Sequence, residues 1–185
     1  MRVITGSARG CRLTTLPGED TRPTTDKVKE GLFSAIQFDI EGRRVLDLYA
    51  GSGQLGIEAL SRAASGCVFV DRNPEAVAII KQNLQKTGLS ALAQVVATDS
   101  LSYLERPKDA FDLVFMDPPY SAGLLLPTLE KAAKHVNDGG ILICESDENA
   151  ILPDKVDRFT LDRVRQYGRI HVWIYRYTAA EEGSE

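Results

Sequence analysis

The chain has 185 residues, 43% of them hydrophobic and 26% charged, a size and composition that suit one domain with its own core. No apolar stretch is long enough to span a membrane and residues 1–10 lack the apolar core of a secretory signal, so we expect a cytoplasmic protein. The three cysteines, Cys11, Cys67 and Cys144, are widely spaced and odd in number. They indicate neither a disulfide framework nor a zinc site, and we expect no metal.

The charge of the chain is unevenly distributed. Residues 1–29 contain six basic and three acidic residues and carry +3, whereas the whole chain carries −4, which leaves −7 for the remainder. A basic N-terminal arm on an acidic body is typical of a local contact with a polyanion. A solvated arm of mixed charge explains the pattern equally well, so charge alone leaves both interpretations open.

The first 40 residues are interpreted as an extension and not as a second domain. Short strands are predicted over 2–4 and 11–14, on either side of a turn that contains glycine. A helix is predicted over 25–38, opened by a polar group of two threonines and an aspartate.

From residue 44 onward, short β-rich runs alternate with helical patterns. The predicted strands cover 44–49, 67–71, 93–98, 111–117 and 140–145. The predicted helices cover 55–64, 74–87 and 124–136, with a short helical turn near Ser102. Continuous β-rich runs separated by helices predict an α/β fold whose parallel sheet is covered on both faces.

The C-terminal part of the chain breaks this rhythm. Apolar and polar residues alternate over 155–165 and 169–177, around a turn at 166–168, which predicts an antiparallel β-hairpin at one edge of the sheet. Four arginines of this hairpin could form a secondary RNA contact, but a solvated strand face is the preferred interpretation; they are Arg163, Arg165, Arg169 and Arg176. The last residues, 179–185, are expected to form an acidic tail.

A glycine-rich turn, DLYAGSGQLG at residues 47–56, lies where the first predicted strand gives way to a helix. Gly51 and Gly53 allow a tight turn and a close approach of ligand to backbone, at the sheet edge where α/β proteins bind ligands. The turn fits the G-x-G-x-x-G pattern, and Asp71 lies about where a ribose-binding acid is expected. A dinucleotide therefore remains a possible cofactor at this point.

Three aspartates at predicted strand ends bear on the identity of the cofactor. Asp47 precedes the glycines, where a carboxylate suits a cationic ligand that carries an amino acid better than it suits a pyrophosphate. Asp71 can accept from ribose hydroxyls and Asp99 from an adenine amino group, a combination that suits S-adenosylmethionine. Any one of them alone is more often a helix N-cap, but three in succession beside a glycine turn favour a binding site.

The sequence Asp117-Pro118-Pro119-Tyr120 follows the predicted fourth strand and is the most specific signal in the chain. Two prolines stiffen the loop and remove two N–H donors, so the loop presents acceptors, the Asp117 carboxylate and the Pro118 carbonyl, beside an aromatic ring. Such acceptors can bind the hydrogens of an exocyclic amino group while the ring stacks on the base. The motif predicts methylation of a base amino group, on a flipped or single-stranded nucleotide.

The chain resembles the bacterial 16S rRNA guanine-N2 methyltransferases of the RsmD type over nearly its whole length. The resemblance rests on RVITG at 2–6 with RG at 9–10, RPTTD at 22–26 with LF at 32–33, LDLYAGSGQLGIEALSR at 46–62 and FMDPPY at 115–120. It implies a Rossmann-like class I methyltransferase fold with a mostly parallel seven-stranded sheet, a C-terminal antiparallel hairpin and a small N-terminal extension. It also implies transfer of a methyl group from S-adenosylmethionine, with S-adenosylhomocysteine as product, to N2 of a guanine in 16S rRNA.

The resemblance also divides the chain and its functional residues. An RNA-binding extension is expected over 1–40, a methyltransferase domain over 41–178 and the acidic tail over 179–185. The expected catalytic residues are Asp117, Pro118, Pro119 and Tyr120. The expected cofactor-binding residues are Asp47, Tyr49, Gly51, Ser52, Gly53, Asp71, Arg72, Asp99 and Ser100. The expected RNA-binding residues are Arg2, Arg9, Arg12, Arg22, Thr24 and Lys27.

Two other functions compete with this hypothesis. A DNA adenine-N6 methyltransferase would use the same Asp-Pro-Pro-Tyr loop, although the chain leaves little length for a region that reads DNA sequence. A dinucleotide-binding oxidoreductase or a non-catalytic nucleotide module explains the glycine turn but gives Asp-Pro-Pro-Tyr no role. The expected partner is 16S rRNA within a small ribosomal subunit or an assembly intermediate, and a monomer is the default.

Overall fold

An eight-stranded sheet runs through the centre of the computed structural model, which describes residues 1–17, 26–106, 109–120 and 123–179. The parallel strands are β1 (Arg44–Leu48), β2 (Gly66–Asp71), β3 (Ala93–Ala97), β4 (Phe111–Met116) and β5 (Val136–Asp147). The antiparallel strands are β6 (Lys155–Val156), β7 (Phe159–Tyr167) and β8 (Ile170–Tyr177). The order across the sheet is β3-β2-β1-β4-β5-β8-β7-β6.

The prediction of seven strands is wrong by one. The segment 155–165 was expected to be a single strand, but it divides into β6 and β7 because Asp157 adopts a left-handed conformation with φ 51° and turns the chain. The alternation of apolar and polar residues continues through this turn, so the pattern alone does not reveal the break. The predicted hairpin is confirmed, since β7 and β8 pair in antiparallel register up to Tyr167 and Ile170.

The described chain contains five α-helices, one before β1 and four between successive strands. They are α1 (Asp26–Ala35), α2 (Gln54–Ser61), α3 (Pro74–Thr87), α4 (Ser100–Tyr103) and α5 (Leu125–Ala132). Helix α3 has the bounds predicted for it, because the Asn73 side chain accepts from the Glu75 amide at its start and Gly88 ends it with φ 73°. None of the helices in this part of the chain is long and apolar enough to cross a membrane.

Helix α5 ends earlier than predicted. A 3₁₀ turn over Ala133–His135 replaces its expected last turn, and Val136 already belongs to β5, where it pairs with Phe111 of β4. Apolar residues continue without a glycine or proline across this boundary, so the helical pattern extends into the strand. Pairing with β4 provides the backbone hydrogen bonds that override the local pattern.

Both faces of the sheet are covered, as expected. Helices α1, α2 and α3 pack on one face through residues such as Phe33, Leu55 and Ile80. Helices α4 and α5 pack on the other face through residues such as Tyr103 and Leu129. The two faces thus form two core clusters, and the predicted Rossmann-like α/β architecture is confirmed.

The N-terminal segment, residues 1–17, packs on the first of these faces. Val3, Ala8 and Leu13 are buried in the same core cluster as α1 and α2. The two short strands predicted here reduce to one isolated antiparallel bridge between Arg2 and Arg12. Backbone hydrogen bonds still join residues 1–3 to 10–13, but the amides of Ile4 and Thr5 donate to Glu58 of α2, so the pairing does not extend.

Glu58 of α2 holds the N-terminal segment to the body of the protein. Its carboxylate is fully buried and accepts from the amides of Ile4 and Thr5 at 2.8 and 3.0 Å. It also pairs with Lys29 of α1 at 3.3 Å and with Arg62 at 2.9 Å. These partners compensate the cost of burying a carboxylate, so one side chain joins three segments of the chain.

The order of the strands reverses between β1 and β4, which are neighbours in the sheet but not in the chain. In open α/β sheets, the crevice at such a point, outside the carboxyl ends of the strands, is where ligands bind. The glycine turn follows β1 and the Asp-Pro-Pro-Tyr loop follows β4. The fold therefore brings the two strongest sequence motifs to one location.

Candidate active site

Two cavities of the described chain adjoin the Asp-Pro-Pro-Tyr loop, and the larger of these two, about 540 Å³, lies at this reversal point. Its volume is within the range of about 300–1,000 Å³ that is typical of sites for small molecules and cofactors. Its described lining consists of Leu16, Pro17, Tyr49, Gly51, Asp71, Arg72, Asn73, Glu75, Asp99, Ser100, Asp117, Pro119 and Leu124.

Six of the nine residues expected to bind the cofactor line this cavity. They are Tyr49, Gly51, Asp71, Arg72, Asp99 and Ser100. The other three are buried, Asp47 beneath the glycines of the turn and Ser52 and Gly53 within it. These three support the wall of the cavity, while the six face its space.

Asp71, at the end of β2, fixes the glycine turn. Its Oδ2 accepts from the amide of Gly51 at 2.9 Å, and its Oδ1 accepts from the amide of Asn73 at 2.8 Å. Gly51 has φ 57° and Gly53 has φ 78°, conformations that glycine adopts without strain. One carboxylate therefore orders both the turn after β1 and the start of α3.

Asp47 lies beneath the turn and holds the start of α2. It is 2% exposed, and its Oδ2 accepts from the amide of Gly56 at 2.9 Å. Burial raises the pKa of this carboxyl well above its usual value, the Gly56 amide opposes that rise, and the Asp117 and Asp71 carboxylates add to it. Asp47 already occupies an amide of the helix start that a dinucleotide's pyrophosphate would use.

Asp99 is both a helix cap and part of the cavity wall. Its Oδ1 accepts from the amide of Ser102 at 3.1 Å and caps α4, as the alternative interpretation of the aspartates expected. Beside it, the Ser100 hydroxyl accepts from the amide of Tyr49 at 3.2 Å. The Tyr49 hydroxyl lies 2.7 Å from the Thr128 hydroxyl of α5. Capping and cavity lining are therefore compatible roles for one carboxylate.

The larger cavity is strongly acidic. Its described lining contains four carboxylates, those of Asp71, Glu75, Asp99 and Asp117, and one cation, Arg72. Such a lining attracts a cationic ligand and repels a pyrophosphate. S-adenosylmethionine, a sulfonium compound with an amino acid group, fits this acidic lining better than a dinucleotide does.

A smaller cavity, about 280 Å³, lies on the other side of the Asp-Pro-Pro-Tyr loop. Pro119 and Leu124 line both cavities, so the loop and the start of α5 form a shared wall. Asp117 faces the larger cavity, while Pro118 and Tyr120 line the smaller one. All four residues expected to be catalytic therefore lie at the junction of two cavities.

Several residues of the two cavities were not predicted from the sequence. Leu16 and Pro17 bring the N-terminal segment to the larger cavity, and no local motif marks them. Asn73 and Glu75 enter at the start of α3. Glu145, at the end of β5, lines the smaller cavity, and the aspartates at the ends of earlier strands were a signal that would have identified it.

The residues expected to bind RNA lie partly outside the described chain. Arg2, Arg9, Arg12 and Lys27 are all exposed, and Arg2 pairs with Asp26 at 3.3 Å. The other two expected residues, Arg22 and Thr24, belong to residues 18–25 and lie outside the described residues.

Comparison with known proteins finds one matching family model and relatives that are named as rRNA methyltransferases. A family model described as Conserved hypothetical protein 95 matches residues 1–176. The Bacillus subtilis protein named "Putative rRNA methyltransferase YlbH" is 41% identical over 181 residues, covering 95% of this chain and 98% of that protein. The Escherichia coli protein named "Ribosomal RNA small subunit methyltransferase D" is 32% identical over 184 residues, covering 98% and 92%.

The fold has a close counterpart among solved structures. The Escherichia coli protein named "Putative methyltransferase yhhF" superposes with a TM-score of 0.87 at 32% identity, covering 97% of this chain and 99% of that chain. This likeness confirms the class I methyltransferase fold that the sequence resemblance implied. The chain belongs to the family described as Conserved hypothetical protein 95, the family of the small-subunit rRNA methyltransferases D.

Proposed function

We propose that this protein transfers the methyl group of S-adenosylmethionine to the exocyclic N2 of a guanine in 16S rRNA. The observation that carries the proposal is the pair of cavities that share the Asp-Pro-Pro-Tyr loop as a wall. A group transfer between two substrates needs two binding sites that meet at the reacting atoms. The larger cavity suits the donor, and the smaller one suits a flipped base.

The acidic lining of the larger cavity supports S-adenosylmethionine as the donor. In the proposal, Asp71 accepts from the ribose hydroxyls, Asp99 accepts from the adenine amino group, and the glycine turn allows a close approach of the backbone. When bound, S-adenosylmethionine supplies an electrophilic methyl group and leaves as S-adenosylhomocysteine. Proteins of similar fold include a putative methyltransferase solved in complex with S-adenosylhomocysteine, which is 16% identical to this chain.

The Asp-Pro-Pro-Tyr loop acts on the acceptor. The nitrogen lone pair of an exocyclic amino group is delocalised into the base, which makes it a weak nucleophile. Asp117 and the Pro118 carbonyl accept from its two hydrogens and orient the lone pair toward the larger cavity, while Tyr120 stacks on the base. After transfer, the methylated amino group loses its excess proton to Asp117 or to water.

The choice of rRNA as substrate rests on the relatives and on the N-terminal segment. Both curated relatives described above are named as rRNA methyltransferases. The exposed arginines Arg2, Arg9 and Arg12 are suited to phosphate contacts, which position RNA without reading its sequence. We propose that Lys27, Arg22 and Thr24 also contact RNA and that the monomeric enzyme acts in the cytoplasm on a small ribosomal subunit or an assembly intermediate.

The test is transfer of labelled methyl groups to small ribosomal subunits purified from cells that lack this protein, followed by nucleoside analysis. N2-methylguanosine in 16S rRNA is the expected product. Labelled N6-methyladenine in a parallel reaction with duplex DNA, together with unlabelled ribosomal particles, would replace the proposed substrate by DNA. Transfer to neither substrate, with intact S-adenosylmethionine binding, would contradict both assignments.

A further inference from the structure

We infer that the carboxylate of Glu145 recognises the target base by accepting a hydrogen bond from N1–H of guanine. The inference rests on the proposed transfer to guanine N2. Glu145 is the third residue from the end of β5. Its side chain is 1% exposed and lines the smaller cavity. A carboxylate in this position is shielded from bulk water, where its contacts have the largest effect on selectivity.

The register of the sheet brings Glu145 beside the Asp-Pro-Pro-Tyr loop. Met116 of β4 is paired with Cys144 of β5, so the next residues, Asp117 and Glu145, leave neighbouring parallel strands side by side. Adjacent strands lie about 4.8 Å apart. Two carboxylates carried by neighbouring strands can reach the two adjacent donors of one guanine edge, the N2 amino group and N1–H.

The chemistry of this pair separates guanine from other purines. An ionised carboxylate only accepts hydrogen bonds, so it attracts N1–H of guanine and repels the N1 lone pair of adenine. The same repulsion applies to 2-aminopurine, which carries the exocyclic N2 amino group but has no proton on N1. Asp117 and Pro118 therefore bind the amino group that reacts, and Glu145 distinguishes the ring that carries it.

The end of β5 and the loop after it are held in place as a wall of this cavity. The Ser146 hydroxyl accepts from Trp173 Nε1 of β8 and donates to the Asp147 carbonyl, both at 2.9 Å. Asp147 Oδ1 accepts from the amide of Asn149 at 3.0 Å. The same loop presents Ile151, which is 91% exposed, as an apolar side chain at the rim of the cavity. These contacts fix the backbone around Glu145, so its carboxylate can orient a base.

The first test compares the binding of guanosine and 2-aminopurine riboside to the protein saturated with S-adenosylhomocysteine. The wild type is expected to prefer guanosine, and Glu145→Gln is expected to lower the guanosine-to-2-aminopurine affinity ratio about 10- to 100-fold, since the amide can donate to an unprotonated N1. Glu148→Gln, a change at an exposed residue three positions further along, is the matched control and is expected to keep the wild-type ratio. An unchanged ratio in Glu145→Gln, or no preference in the wild type, overturns the inference.

The second test measures methyl transfer to small ribosomal subunits from cells that lack the protein. Glu145→Gln is expected to lose about 10- to 100-fold in kcat/KM with unchanged S-adenosylhomocysteine binding, and a wild-type rate overturns the inference. Failure of the wild type itself to form N2-methylguanosine contradicts the proposed function, whereas the nucleoside comparison still decides the role of Glu145.

Discussion

The two cavities differ in how the chain builds them. The larger one is formed mostly by short loops directly after strands, and its aspartates Asp71 and Asp99 are ordered by backbone amides a few residues away or in the adjacent turn. The smaller one is lined by two regions, 118–120 with 123–126 and the end of β5 with the loop after it, which the pairing of β4 with β5 brings together. In the proposed function, binding of the methyl donor therefore depends on turn chemistry, whereas recognition of the base depends on the register between β4 and β5.

The largest effect is expected at the wall between the cavities. Asp117→Ala removes an acceptor for the reacting amino group, and we expect methyl transfer to fall about 1,000-fold or more, because positioning of the nucleophile is lost. Binding of S-adenosylmethionine, measured by calorimetry, is expected to change less than about threefold.

The matched variant is Asp117→Asn, which keeps one acceptor oxygen in the same place. It is expected to retain part of the activity that Asp117→Ala loses. Normal turnover by Asp117→Ala would show that the loop does not serve the acceptor, and equal loss of cofactor binding and transfer would show that the two cavities are not separable.

A smaller effect is expected at the donor cavity alone. Asp99→Asn keeps the cap of α4, because asparagine caps helices as well as aspartate does. It replaces the second oxygen by an amide donor, which opposes a bound adenine amino group. We expect the Kd for S-adenosylmethionine to rise about tenfold, with little change in the melting temperature. A wild-type Kd would remove Asp99 from the donor site.

The fold was largely predictable from the sequence, because its signals are local. The ends of α3 follow from Asn73, Pro74 and Gly88, and the parallel strands follow from apolar runs. The division of 155–165 into β6 and β7 was not predictable, because Asp157 adopts a left-handed turn without an accompanying glycine.

The candidate site was predictable in part. The glycine turn and the Asp-Pro-Pro-Tyr loop carry their own sequence signals. Leu16 and Pro17 reach the larger cavity because Glu58 and Ser61 of α2 bind the N-terminal segment, which is a tertiary contact across some 50 residues. The position of Glu145 near the end of a strand could have been recognised from the sequence, but its place beside Asp117 depends on the pairing of β4 with β5, which no single segment encodes.

A modest effect on RNA binding is expected at the N-terminal segment. The double variant Arg9→Ala with Arg12→Ala removes two exposed cations and is expected to weaken binding to small subunits several-fold. The slope of log affinity against log salt concentration is expected to decrease by about 2. Arg165→Ala with Arg169→Ala, in the hairpin, is the control, and an equal effect of both pairs would contradict a localised RNA surface.

The last prediction concerns stability and pH in the absence of the cofactor. Burial raises the pKa of Asp47, so the stability contributed by its protonated form is present below the ordinary pKa of 3.8 and is lost as pH rises toward the raised value. Asp47→Asn does not ionise. Its free energy of unfolding relative to wild type is therefore expected to increase from pH 4 to pH 8, by about 1.4 kcal/mol for each unit by which the pKa is raised.

Urea unfolding at several pH values measures this difference. Asp157→Asn, at an exposed position whose left-handed conformation asparagine also adopts, is the control and is expected to follow the wild-type pH dependence. A pH-independent difference between Asp47→Asn and wild type would mean that Asp47 is ionised in the folded protein without cost.

We propose that the two cavities hold the two substrates on either side of the Asp-Pro-Pro-Tyr loop, and a crystal structure of the protein with S-adenosylhomocysteine and guanosine would test this arrangement. We expect the cofactor product in the larger cavity, with its ribose at Asp71, and the guanine in the smaller cavity against Tyr120. Cofactor product in the smaller cavity, or guanine bound away from Asp117 and Glu145, would refute the arrangement.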